Sequence, residues 1–61
     1  MLYYLAVWDL VTEKNVAYNE RKETIEVARE SLVEGKLRET EQKMTKPIGG
    51  HRYVFRTLIK L

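Results

Sequence analysis

The 61 residues include no cysteine, so disulfides cannot form and thiolate-rich zinc sites are excluded with them. One histidine, His51, leaves any metal site almost entirely to carboxylates. Ser31 is the only serine and lies among charged residues, so a nucleophile with a paired base is not apparent. Gly35, Gly49 and Gly50 fit none of the phosphate-cradling glycine patterns. Long apolar runs are also scarce. The stretch Leu2–Trp8 stops at Asp9, far short of the ~20 residues a spanning helix needs. No basic segment precedes it and no small-residue cleavage site follows, unlike a signal peptide. A chain this short also has little volume for a ligand pocket. These absences predict a cytoplasmic protein that is not an enzyme, with no cofactor, no metal and no membrane partner.

What is present suffices for one folded domain over residues 1–61, with 44% hydrophobic residues. A domain of this size buries only about 60% of its unfolded surface and usually needs a disulfide, a metal or self-association to be stable. With no cysteine and a single histidine, a compact core or self-association is left, and a homodimer is an expected state. Net charge is +2, but its distribution is uneven. Residues 1–35 carry four basic against seven acidic side chains, a net −3; residues 36–61 carry seven against two, a net +5. Segregation of this kind suggests interaction surfaces.

Residues 2–11, LYYLAVWDLV, are aromatic and β-branched and predict a strand. Thr12–Asn15 is turn-like, and Val16–Tyr18 can pair back as a short second strand. Asn19 as an N-cap, Glu20 and Glu23 in a first turn, the Ile25/Ala28/Leu32 stripe and a closing Gly35 predict a helix over about 20–34. Val33, Leu37, Thr40 and Met44 keep helical spacing past Gly35, but the glycine interrupts the pattern, and a solvent-facing strand is preferred for 37–44. Pro47, Gly49 and Gly50 mark a loop. Residues 51–61 alternate as a strand, with Tyr53, Phe55, Thr57, Ile59 and Leu61 on one face and Arg52, Val54, Arg56, Leu58 and Lys60 on the other. The predicted fold is α+β, a small antiparallel sheet of three to four strands on one α-helix in the order β(β)αββ.

Three features could bind. Glu23, Glu26, Glu30 and Glu34 would form an acidic ridge along the predicted helix, with Val27 beside it as an apolar spot. Such a ridge suits a basic protein groove, although a solvated outer surface explains it as simply. Arg52, Arg56 and Lys60 would form a basic strand face, joined by Lys46 and His51 in the loop, suited either to phosphates or to protecting a sheet edge. Strand one is apolar on both sides, and Val54 and Leu58 extend that character. One helix cannot cover both faces of a sheet, so Tyr4, Trp8, Val54, Arg56 and Leu58 are the candidate protein-binding residues.

Gly49-Gly50-His51-Arg52-Tyr53 resembles the wing of MerR-type and excisionase-like winged-helix DNA-binding proteins, and Ile25-Glu26-Val27-Ala28 resembles the start of their first helix. That resemblance implies contact with a nucleic-acid backbone near His51 and Arg52. It covers nine residues, leaves too little chain for a recognition helix, and does not account for a strand at 2–11. In general type, a short cysteine-free α+β chain with segregated charge resembles phage-encoded inhibitors. The leading expectation is a protein-binding regulator or inhibitor, with nucleic-acid binding and a purely structural homodimer as alternatives.

Overall fold

A computed structural model describes all 61 residues. Strand β1 spans Leu2–Val11 and β2 spans Ala17–Val27; a 3-10 turn at Glu30–Leu32 leads into helix α1, Val33–Lys43, and β3 spans Arg52–Lys60. The three strands form one antiparallel sheet in the order β2-β1-β3. The most apolar strand is thus the central one, where both of its edges are paired and one of its faces packs into the core. The α+β class stands, with the order ββαβ.

Two segments differ from the sequence-based expectation. Residues 20–27, expected in a helix, continue β2, and residues 37–43, expected in a strand, belong to α1. The strand wins at 17–27 because it pairs with β1 along nearly its whole length, from Leu2↔Val27 to Val11↔Ala17. Ladder pairing of an apolar strand outweighs a local helix preference of tenths of a kcal/mol per residue. The Val33/Leu37/Thr40/Met44 pattern is the one α1 uses: Val33 and Leu37 pack on the core and Met44 is buried just past the helix end. Gly35 sits in the first turn of α1 and does not close a helix. The winged-helix likeness also fails at 25–27, which are strand.

The β1–β2 turn works without glycine because Asn15 takes the left-handed conformation, φ +64°, which asparagine tolerates better than most residues. Asn15 N–H donates to the Thr12 carbonyl at 2.9 Å, and Thr12 Oγ1 accepts from the N–H groups of Lys14 and Val16. Gly50, before β3, has φ +83°, and a Cβ there would lie 2.9 Å from Glu13 Oε2. Glycine is required at this position both by conformation and by space.

Register sets the two faces. Tyr4, Ala6 and Trp8 face the helix side together with Ile25 and Val27, and with Met44 they form the buried core. Trp8 is wholly buried; its Nε1–H donates to Glu41 Oε2 of α1 at 3.3 Å, and its ring meets Phe55 edge-on at a centroid distance of 5.6 Å. Tyr3, Leu5, Val7 and Asp9 point to the opposite side. In β3 a register shift opposite Val7/Trp8 reverses the simple alternation: Tyr53 and Phe55 lie on the helix side, as do Leu58 and Lys60, while Thr57 and Ile59 turn away from it. One extra residue in a strand sends everything beyond it to the other face. α1 packs chiefly on β2, and no helix is long and apolar enough to cross a membrane.

Candidate functional site

The face of the sheet away from α1 has no cover of its own. Its centre is Tyr3, Leu5 and Val7 of β1, extended by Ile59 and by Leu61, whose N–H donates to the Tyr3 carbonyl at 2.9 Å. Tyr3 is 47% and Ile59 48% exposed, and Val54 at the other end is 41% exposed. Val7, flanked by Lys22 and Thr57, is buried. Antiparallel strands with one wet face ordinarily place polar residues there. Here β1 and β3 expose apolar side chains at one end, and β2 sets Thr24 and Glu26 beside them, with the Tyr3 hydroxyl donating to Glu26 Oε1 at 3.4 Å.

The other end of the same face is an ion-pair network. Arg56 reaches Asp9 (Nε–Oδ1 3.3 Å) and bonds Glu20, which also pairs with Lys22 at 3.5 Å. The hydrogen bond from Arg56, followed by the charges of Lys22 and Arg56, holds the Glu20 carboxyl below its ordinary pKa. On α1, Lys43 and then Lys36 lower the pKa of Glu39 in the same way. Counted over the open face, Asp9, Glu20 and Glu26 balance Lys22, Arg52 and Arg56, so the face carries no net charge.

Both strand edges are guarded. β3 carries only cations, Arg52, Arg56 and Lys60, and contains the register shift. β2 carries Glu20, Arg21, Lys22, Glu23 and Glu26. Charged side chains and bulges are the usual devices that stop strand-to-strand pairing.

The residues singled out from sequence separate in the fold. Tyr4 and Trp8 are buried core residues on the helix side, with Leu58 half-buried beside them, so they do not share a surface with Val54 and Arg56. Tyr4 and Trp8 are buried because their face of β1 is the one that packs with Ile25, Val27 and Met44, and the bulge in β3 parts Leu58 from Val54; alternation alone reveals neither. The acidic ridge also dissolves: Glu23 and Glu26 lie on opposite faces of β2, Glu30 is in the 3-10 turn and Glu34 begins α1. Val27 is in the core. Among the basic candidates, Arg52 bonds Asn15 and the Thr12 carbonyl, and His51 Nδ1 shares a 2.8 Å hydrogen bond with the Tyr18 hydroxyl. Arg56 is neutralised on the open face, Lys60 lies on the other face opposite Tyr4, and Lys46 is exposed in the loop. No continuous basic stripe results. Sequence reading missed Tyr3, Leu5 and Ile59 as surface candidates; the two-sided apolarity of residues 2–11 was the available signal.

Two grooves flank α1. One, of about 460 Å³, is lined by Met1, Val27, Ala28, Leu32 and Gly35 with Glu26, Lys36 and Glu39 at its rim; the other, of about 290 Å³, is lined mostly by charged residues of β2 and α1. Nowhere do three or more acidic or histidine side chains gather to hold a metal ion. Comparison with protein-family models, with curated proteins and with solved structures finds no match to this chain.

Proposed function

We propose that this chain is a non-catalytic protein-binding module, a regulator or inhibitor that works by docking the open face of its sheet onto another polypeptide. One observation carries the reading: Tyr3, Ile59 and Leu61, with half-buried Leu5, stand on a face that no element of the chain covers, while both edges of the sheet are charged. Contiguous exposed apolar surface on a small protein marks an interaction site more often than it is tolerated without a use. The charge-balanced network of Asp9, Glu20, Lys22 and Arg56 supplies the polar part of such an interface.

Capture from the source cells tests this, using wild type and Ile59→Asp side by side. Ile59 is half exposed, so the substitution leaves the core intact. Loss of the captured partner with Ile59→Asp supports docking through this face; an unchanged partner set overturns it. The second reading, nucleic-acid binding by Lys46, His51, Arg52, Arg56 and Lys60, draws its support from the net +5 of residues 36–61. It predicts affinity for random DNA or RNA that falls steeply as salt rises. Because Arg56 is already paired and the open face is neutral, that binding is expected to be weak or absent at low salt.

A further inference from the structure

The geometry points to a second copy of this chain as the occupant of the open face, the two sheets stacked front to front about a two-fold axis running along the strands. The inference rests on the docking reading above and names its partner.

Four observations lead to it. The first is a burial deficit: only eight of 61 residues are buried, in a chain that has no cysteine to staple it. Domains of this size commonly recover stability by associating. The second is outline. The molecule measures 38 × 18 × 15 Å, so its broad face offers at most on the order of 700 Å², near the ~800 Å² each partner contributes to a standard interface. Nearly all of the face must then be used, and an object of the same outline uses it from edge to edge.

The third is charge. A face with three acidic and three basic side chains can meet its own copy without net repulsion, whereas a strongly signed face cannot. The fourth is the arrangement of the two ends. An axis along the strands lays the Tyr3/Leu5/Ile59/Leu61 end on its own counterpart, as an isologous interface requires. It also brings Asp9 and Glu20 near Arg56 of the other copy. The alternative axis, across the strands, would press the apolar end onto the whole ion-pair network of Asp9, Glu20 and Arg56. The axis along the strands leaves only Glu26, held by the Tyr3 hydroxyl, beside hydrocarbon. The result is a sandwich with the two sheets about 10 Å apart inside and the two α1 helices outside. The guarded edges of β2 and β3 stop growth beyond two copies.

Sedimentation across protein concentration, with the melting temperature followed in parallel, tests the proposal. Wild type is expected to pass from monomer to dimer as concentration rises, with the melting temperature rising in step. Ile59→Asp should weaken self-association by on the order of a hundredfold, because the two-fold axis places every substitution in the interface twice. A second measurement guards against a folding defect. The cysteine-free chain accepts a single probe, and a short bismaleimide should join two Ile59→Cys chains while leaving two Gln42→Cys chains, labelled on α1, unjoined. A wild type that stays monomeric at every concentration overturns the proposal. So does a dimer that Ile59→Asp leaves intact, or one that links through position 42. If the protein is monomeric, the capture comparison with Ile59→Asp still decides separately whether this face docks a different protein.

Discussion

The two faces of the sheet are built from the same strands but are in opposite physical states. The helix side packs Tyr4, Ala6 and Trp8 against Ile25, Val27 and Met44, and its one deep polar atom, Trp8 Nε1, is satisfied by Glu41. The open side leaves Tyr3 and Ile59 about half exposed and ties Asp9, Glu20, Lys22 and Arg56 into a network at one end. The difference follows from coverage. A single short helix shelters one side of three strands, and the alternation of β1 sends large apolar side chains both ways. Folding stability therefore belongs to one face, and the capacity to associate belongs to the other.

The largest effect should come from breaking the sheltered face. Trp8→Ala removes the centre of the core and the tie to Glu41, and is expected to cost about 3–5 kcal/mol. That rivals the whole stability expected for a chain of this size, roughly 3–9 kcal/mol, so a cooperative thermal transition should disappear. Ile59→Ala on the open face, measured at dilution, should cost under ~1 kcal/mol; equal losses from the two substitutions would remove the distinction between the faces.

The glycines sharpen the same contrast between required and incidental features. Gly50→Ala forces a side chain onto φ +83° and toward Glu13, and should destabilise by about 1–2 kcal/mol in urea unfolding. Gly35 has nothing within 4 Å of an added Cβ. Gly35→Ala should therefore stabilise α1, and with it the covered face, by about 0.5–1 kcal/mol. Loss of stability there would mean that α1 needs the glycine for a reason other than conformation.

The smallest effect concerns the charged end of the open face. Arg56 and Lys22 lower the pKa of Glu20 in the folded state, so the ion pair contributes fully above the ordinary carboxylate range. That contribution is lost as pH falls through the lowered value. Because the pair is solvent-exposed its size is modest. Glu20→Gln should flatten the acid side of the stability profile and leave neutral pH little changed; an identical acid limb would show the network to be inert.

The fold class was legible because its signals are local and redundant. The aromatic and β-branched run at 2–11 and the alternating run at 52–60 have too few alternatives to be anything but strands. The helix was misplaced for an equally physical reason. Residues 20–34 have good helix chemistry from one residue to the next, while the Val33/Leu37/Met44 stripe is interrupted by Gly35, and local preference could not reveal that β1 needed a partner along its length. The candidate surface was half legible. Excess apolarity in β1 was readable; which of its side chains stay in water was not, because that depends on which face α1 covers, and in β3 on the bulge opposite Val7 and Trp8.

The amino-acid order by itself determined the small α+β character, the absence of any thiol chemistry, the uneven charge and the surplus of hydrocarbon in the first strand. Only the tertiary structure decided that β2 runs to Val27, that α1 starts at Val33, and that Tyr3 and Ile59 rather than Tyr4 and Trp8 face outward. Pairing and register are long-range properties. One inserted residue reverses the sides of a strand at little local cost, so the contacts across the sheet, and not the residues along it, fix which face meets water.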